Sequence, residues 1–155
     1  MLRIQKTIGD FIAQAVLPVV KPDDTVTTAA STMKEQRADC VVVLDGPKLV
    51  GIFTERDFLT RVAAPGRDPC ETLVRDVMTA KVDTLHSFDA ISYAVNRMGT
   101  GKYRHVPIVD DGKVKAILGV RDVMSFLVEL LADVVGPESS AGEPLVTEWT
   151  DIGGG

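Results

Sequence analysis

The chain has 155 residues, of which 45% are apolar and 25% are charged, a balance typical of a folded globular protein. Seventeen basic residues against 22 acidic ones give a net charge of −5, which argues against a general attraction to nucleic acid or to an anionic membrane. No apolar run approaches the ~18 residues that a helix needs to span a bilayer.

The N-terminal region is predicted to form a short amphipathic helix. Arg3 and Lys6 precede an apolar stretch, but Asp10 interrupts it, and the stretch is too short for a signal peptide. We therefore expect a cytoplasmic protein. Of the two cysteines, Cys40 lies in an apolar run and is predicted to be a buried, unreactive thiol, and the pair makes neither a metal motif nor a disulfide framework.

In chain order, the first half of the sequence predicts six elements. They are a helix over residues 8–17, an extended segment over 17–20, a helix capped by Asp24 or Thr25, two strands over 40–44 and 49–53, and a helix over 57–64. The tetrapeptide Asp45-Gly46-Pro47-Lys48 predicts the hairpin turn between the strands.

The second half repeats this order, because a shift of 65 residues places the sequence on itself. Nine ungapped pairs are identical, including Met33 with Met98 and Asp57 with Asp122. The repeated elements are a helix over 72–78, an extended segment over 81–85, a helix capped by Ser87 or Asp89, strands over 106–109 and 114–118, and a helix over 122–135.

The repeat predicts an α+β fold of two β-α-β-β-α units. One unit has too few elements to bury a core, so we expect two units packed about a pseudo-twofold axis. The predicted boundaries are residues 8–64 for the first repeat, 65–71 for a linker, 72–135 for the second repeat and 136–155 for a flexible tail.

Two matching segments contain the candidate ligand-binding motif of each repeat. Gly51-Ile52-Phe53-Thr54-Glu55-Arg56-Asp57 ends a strand with a hydroxyl residue and begins a helix with a carboxylate, and Ala116-Ile117-Leu118-Gly119-Val120-Arg121-Asp122 is its partner. Together with Tyr103-Arg104-His105-Val106-Pro107-Ile108-Val109-Asp110, these segments resemble the CBS domain family over about residues 8–131. The resemblance implies a Bateman module, a CBS pair that commonly binds adenosine-containing ligands such as AMP, ADP, ATP or S-adenosylmethionine.

By this resemblance, two clefts between the repeats would bind the ligand. The candidate ligand-binding residues are Val19, Val20, Val41, Val42, Thr54, Arg56, Asp57, Thr84, Leu85, Arg104, His105, Val106, Pro107, Arg121 and Asp122. A carboxylate can accept both ribose hydroxyls, as Asp57 and Asp122 would, and arginines can add charge-assisted bonds to phosphate. The alternative is that both aspartates only cap helices and that the arginines are only solvated.

The second repeat departs from the family pattern. Gly119 stands where a serine or threonine is expected, and Ala116 stands where a glycine is expected. The first strands also differ, with Asp39-Cys40 in one repeat and Arg104-His105 in the other. We therefore expect the two clefts to bind ligand unequally, with Asp57 more important than Asp122.

The predicted function is a regulatory module that senses an adenine nucleotide, with no obligatory cofactor and no catalytic or metal-binding residues. It would signal to a partner protein and would form a homodimer through its apolar last helix. The alternatives are a ligand-free dimerisation module and a binder of S-adenosylmethionine or NAD(H). An enzyme acting on nucleotides is disfavoured, because the sequence has no paired catalytic carboxylates and no glycine-rich phosphate loop.

Overall fold

The computed structural model of the chain describes residues 6–10, 12 and 16–135. The predicted tail over 136–155 lies outside the described residues, as does part of the helix predicted over 8–17. The chain divides into two units, Met1–Val123 and Met124–Gly155, with the boundary inside the last helix. Both sequence repeats have their sheets in the first unit.

The secondary structure follows the predicted order in both repeats. In the first repeat it comprises a 3₁₀ turn Ile8–Asp10, β1 Val19–Val20, α1 Val26–Gln36, β2 Cys40–Asp45, β3 Lys48–Thr54, and a helical segment made of α2 Glu55–Asp57 and the π-helical turns Phe58–Ala63. In the second repeat it comprises α3 Val74–Val77, α4 Ile91–Gly101, β4 His105–Asp110, β5 Lys113–Gly119 and α5 Val120–Val135.

The two sheets have equivalent registers, which confirms the α+β fold of two repeats. In the first sheet β1 pairs parallel to β2 and β2 antiparallel to β3, with Val41 opposite Phe53. In the second sheet β4 pairs antiparallel to β5, with Val106 opposite Leu118. Each hairpin has a register shift at the same place and closes with a two-residue turn. Asp111 and Gly112 both have positive φ in the second turn, as a type I′ turn requires.

Each repeat buries its own hydrophobic core against one face of its sheet. Strand alternation directs Val41 and Val43 into the first core and Val106 and Ile108 into the second, and all four are fully buried. Met33 from α1 and Met98 from α4 occupy matching places in the two cores. The predicted core helices therefore cover the sheets on equivalent faces.

The short segments at the start of each repeat are exchanged between the repeats. Ile8 is fully buried in the core of the second repeat, whereas Val74 is fully buried in the core of the first. The backbone contacts match: the Ile8 amide donates to the Asp89 carbonyl, and the Val74 amide donates to the Asp24 carbonyl, both at 2.9 Å. This reciprocity defines the pseudo-twofold relation, and it joins the two cores through the backbone.

Several predicted boundaries differ from the structure. Within the described residues, the helix predicted over 8–17 has a 3₁₀ turn at Ile8–Asp10, and the extended segment predicted over 81–85 pairs only at Leu85, which bridges to Ile108. The α1 cap is confirmed as Thr25, whose hydroxyl accepts from the Thr28 amide.

The cap predicted for α4 at Ser87 or Asp89 is wrong. Position 90 is the cap residue and is an alanine, and the Asp89 carboxylate instead accepts a hydrogen bond from the His86 amide.

The second unit begins at Met124 within α5. In the part of this unit that the structure describes, the large exposed apolar side chains are Met124, Leu127, Val128 and Leu131. Among the helices of the described part of the chain, none is long and apolar enough to cross a membrane.

Candidate functional site

A cleft of about 610 Å³ lies where the end of β3 and the start of α2 meet the second repeat. All of its lining residues belong to the first unit. They are Asp39, Ile52, Thr54, Glu55, Arg56, Asp57, Thr60, Arg61, Thr79, Lys102, Tyr103, Arg104, His105, Val120 and Arg121. The volume falls in the range of sites that hold a small-molecule ligand.

Thr54 and Asp57 form a reciprocal capping box at the start of α2. The Thr54 hydroxyl accepts from the Asp57 amide at 3.2 Å, and Asp57 Oδ2 accepts from the Thr54 amide and hydroxyl, both at 3.0 Å. Thr54 is therefore the N-cap, and Asp57 is the third helical residue rather than the cap itself. The Thr54 hydroxyl has its proton committed to Asp57, so it is not free to donate to a phosphate in this arrangement.

The second oxygen of Asp57 has longer contacts. Asp57 Oδ1 lies 3.4 Å from the Thr79 hydroxyl and 3.5 Å from Arg61 Nη1. Arg61 makes its shorter bonds elsewhere, donating to the carbonyls of Val77 at 3.0 Å and Met78 at 2.7 Å. Asp57 is only 7% exposed, so this oxygen is a nearly buried acceptor with capacity to spare.

The corresponding segment of the second repeat is more open. Gly119 lacks the hydroxyl, and a single strong bond remains, from the Gly119 amide to Asp122 Oδ2 at 2.7 Å. Asp122 is exposed. A Cβ atom at position 119 would lie 3.2 Å from that carboxylate oxygen, which would have to shift slightly, and 3.6 Å from the His105 ring, which is an ordinary contact.

Asp39 links the two repeats across the cleft. Its Oδ2 atom lies 3.7 Å from His105 Nε2 and 3.9 Å from Arg121 Nη1. Burial lowers the pKa of His105 below its usual value of 6.5, and Arg104 lowers it further, whereas Asp39 acts in the opposite direction. Near neutral pH the charged partner of Asp39 is therefore Arg121.

The cleft is positively charged within an acidic protein. Five of its lining residues are arginine or lysine and three are carboxylates, an excess of two positive charges, whereas the whole chain carries −5. The cations are Arg56, Arg61, Lys102, Arg104 and Arg121. Such a local excess attracts an anionic ligand.

The structure brings together six of the predicted ligand-binding residues. Thr54, Arg56, Asp57, Arg104, His105 and Arg121 all line the cleft. Others lie elsewhere: Val20 and Val41 in the first core, Leu85 and Val106 in the second, Val42 and Pro107 buried, Val19 exposed, and Asp122 beside Gly119. Thr84 lines a separate cleft of about 380 Å³ near the two hairpin turns.

Sequence reasoning missed several lining residues, among them Asp39, Arg61, Thr79 and Tyr103. A signal existed for Asp39, because the 65-residue shift places it on Arg104. Arg61 lies one helical turn after Asp57, which is the spacing of an ion pair on a helix. Thr79 follows α3 near the start of the second repeat, and no pattern in the sequence places it against Asp57.

Cys40 lies in β2, directly after the cleft residue Asp39. Cys40 is 3% exposed, and burial, together with the nearby carboxylates, raises the pKa of its thiol to about 12. The thiol is therefore unreactive at neutral pH, as predicted. Within residues 6–10, 12 and 16–135, no group of three or more His, Cys, Asp or Glu side chains could hold a metal ion.

Comparison with known proteins identifies the class of fold and then the family. The chain resembles solved structures of CBS-domain proteins, including one from Agrobacterium tumefaciens with 28% identity and a TM-score of 0.72 over 78% of this chain and 98% of that one. The family model of the CBS domain matches residues 8–64 and 74–129. The chain belongs to the CBS domain family and contains two tandem CBS domains.

One curated relative is a much longer protein than this chain. A CBS domain-containing protein of Arabidopsis thaliana is 36% identical over 133 residues, which are 85% of this chain and 24% of that protein. The chain thus spans about a quarter of the length of that relative.

Two further structural neighbours were solved with ligands. A CBS domain protein from Pyrobaculum aerophilum complexed with AMP is 20% identical, with a TM-score of 0.70 over 81% of this chain and 98% of that one. A CBS domain pair in complex with 5′-methylthioadenosine and S-adenosyl-L-methionine is 21% identical, with a TM-score of 0.70 over 78% and 98%. At these identities the likeness establishes the fold.

Proposed function

We propose that this chain is a cytoplasmic regulatory module that binds an adenine nucleotide in the cleft and signals the bound state to a partner protein. The observation that carries the proposal is the nearly buried Asp57 carboxylate beside an excess of cationic side chains. A ribose needs a hydrogen-bond acceptor and a phosphate needs positive charge, and this cleft offers both.

Asp57 Oδ1 is the acceptor for the ribose. Its contacts with Thr79 and Arg61 are longer than strong hydrogen bonds, so a ribose hydroxyl can replace them at small cost. Oδ2 stays in the capping box with Thr54, which holds the carboxylate in place. Asp57 therefore combines the two roles that the sequence left as alternatives. One carboxylate oxygen stabilises the start of the helix, and the other is presented to the ligand.

The phosphate group is held by the guanidinium groups. The Asp57 amide donates to Thr54 and the Glu55 amide donates to the Asp39 carbonyl, so these two amides are already used. Arg56 and Arg104 are exposed at the cleft and can turn toward a phosphate.

The charge of the cleft favours a nucleotide over a cationic ligand. S-adenosylmethionine carries a sulfonium cation, which an excess of two positive charges repels. The structural neighbours bound to AMP and to 5′-methylthioadenosine with S-adenosyl-L-methionine have the adenosine group in common, and this supports an adenosine ligand of some kind.

The proposed module is a homodimer. Met124 and Leu131, on the part of α5 that belongs to the second unit, are 55% and 60% exposed. A second copy would remove such apolar side chains from water. Light scattering should then report about twice the chain mass of 16.7 kDa.

Calorimetric titration with AMP, ATP, NADH and S-adenosylmethionine tests which class of ligand the cleft binds. AMP or ATP should bind, and Asp57→Asn should weaken that binding by about tenfold or more, because the ribose loses a charged acceptor. The matched variant is Asp122→Asn, which alters the exposed carboxylate of the second repeat and should change affinity less.

Three outcomes would contradict parts of the proposal. If none of the four compounds binds, the ligand-free dimerisation module is the better description. If S-adenosylmethionine or NADH binds in preference, the ligand class is wrong. If Asp122→Asn abolishes binding and Asp57→Asn does not, the ligand occupies the second half of the site.

A further inference from the structure

Asp39 occupies the position in the first repeat that Arg104 occupies in the second. Both residues line the cleft, so the pseudo-twofold relation places an anion opposite a cation. The Asp39 carboxylate reaches across to the second repeat, where the same oxygen lies 3.7 Å from His105 Nε2 and 3.9 Å from Arg121 Nη1.

The backbone and surroundings of Asp39 hold it at this place. Its carbonyl accepts from the Glu55 amide at 3.2 Å, which ties the start of β2 to the start of α2. The Asp39 side chain is 36% exposed and that of His105 is 18% exposed, whereas Arg121 is 89% exposed and free to move. Both contacts exceed 3.5 Å, so neither is a hydrogen bond, and a ligand anion can compete with Asp39 for the charged Arg121.

We propose that Asp39 is a specificity-determining residue of the cleft: its carboxylate acts as an internal anion beside Arg121 and His105, and it thereby disfavours ligands with long phosphate chains. The inference rests on the proposed nucleotide-binding function and extends it to the class of nucleotide. A monophosphate held near Arg56 and Arg104 leaves Asp39 with its partners. A triphosphate that extends toward Arg121 meets the Asp39 carboxylate.

The effect follows from the charge of the cleft. With Asp39 ionised the lining has an excess of two positive charges, and without it the excess is three. Each phosphate charge near Asp39 adds a repulsive interaction that water only partly screens. The penalty therefore grows with the number of phosphates, which makes the cleft selective among nucleotides and not merely weaker.

The test compares AMP and ATP, without added magnesium, on the wild type and on Asp39→Asn. The substitution keeps the side-chain shape and removes the charge. We expect AMP to bind about threefold more tightly and ATP about tenfold more tightly than to the wild type. Glu71→Gln, which removes an exposed carboxylate outside the cleft, controls for net charge and should change either affinity less than about twofold.

Equal gains for AMP and ATP, or the same gains in Glu71→Gln, would overturn the proposal. Thermal unfolding of each variant shows whether Asp39→Asn is folded. A second variant, Arg121→Gln, tests the pairing directly. It should weaken ATP binding more in the Asp39→Asn background than in the wild type, because without the Asp39 carboxylate Arg121 is available to the phosphates. Independent effects of the two substitutions would contradict the proposed pairing.

Inorganic tripolyphosphate separates this inference from the proposed function. If the wild type binds no adenine nucleotide, the proposed function fails, but Asp39→Asn should still bind tripolyphosphate more tightly than the wild type does. If the nucleotides bind and Asp39→Asn has unchanged affinity for ATP and tripolyphosphate, the proposed function stands and the role of Asp39 is refuted.

Discussion

In the first repeat, Asp57 at the start of α2 is 7% exposed, and its carboxylate accepts two hydrogen bonds from Thr54. Its counterpart in the second repeat, Asp122, is exposed, and its carboxylate accepts one hydrogen bond from Gly119. The backbone course is the same in both repeats, with matched strand registers. The loss of one hydroxyl and of the contacts with Thr79 and Arg61 thus changes the exposure and hydrogen bonding of the carboxylate, while the fold of the repeat stays the same. Substitutions at equivalent positions of the two repeats measure how far the repeats differ.

The largest effect should come from the exchanged segments. Ile8 is fully buried in the core of the second repeat, so Ile8→Ala should lower the free energy of unfolding by about 2–5 kcal/mol. Val74→Ala, its counterpart in the first core, should cost less by roughly 1 kcal/mol, since fewer methyl or methylene groups are removed. Urea denaturation measures both changes.

Val16→Ala is the control for the exchanged segments, because Val16 is 79% exposed and its truncation should change stability by less than about 0.5 kcal/mol. An Ile8→Ala variant as stable as this control would mean that the leading segment does not contribute to the core of the second repeat.

A smaller loss of stability should come from substitution at Gly51 in β3, whose equivalent in β5 is Ala116. A Cβ atom at Gly51 would overlap the Met78 sulfur and lie 3.1 Å from the Thr79 carbonyl oxygen. We therefore expect Gly51→Ala to cost about 1–3 kcal/mol. At the equivalent position of the second repeat, Ala116→Gly should cost about 1 kcal/mol or less.

The same denaturation series decides the Gly51 comparison. Equal costs for the two substitutions would show that the segment after α3, which contains Met78 and Thr79, does not need the close approach at Gly51.

The capping box should contribute about 1 kcal/mol. Thr54→Ala removes the hydroxyl that accepts from the Asp57 amide and should lower stability by that amount. Gly119→Thr is the complementary change, in which the new Cβ needs the Asp122 carboxylate to move by a few tenths of an ångström. We expect it to raise the melting temperature slightly; a decrease would show that His105 and Asp122 leave no room for the hydroxyl.

The repeat, the hairpins and the core faces could be predicted because they depend on local signals. Alternating apolar residues and turns such as Asp111-Gly112 specify a hairpin wherever it packs. The exchange of Ile8 and Val74 could not be predicted, since an apolar residue in the sequence does not show which of two similar cores its side chain enters. The contacts of Asp39 and Thr79 depend on that exchange and on how the repeats meet. They become visible only in the assembled fold.

The smallest effect should be a pH dependence that resides in one repeat. Burial lowers the pKa of His105 in the folded protein, whereas the unfolded chain titrates near the usual ~6.5. Below that pH the unfolded state binds more protons, so the stability that the neutral imidazole contributes is present above ~6.5 and is lost as the pH falls through the lower folded pKa.

The first repeat has Cys40 at the position equivalent to His105, and its pKa of about 12 keeps the thiol neutral throughout this range. Denaturation at pH 7 and pH 5 should therefore show a smaller acid-induced loss of stability in His105→Gln than in the wild type. Cys40→Ala should be destabilised by similar amounts at both pH values, because it loses packing and no titrating group. A His105→Gln variant with the same pH dependence as the wild type would place the acid sensitivity outside the second-repeat half of the cleft.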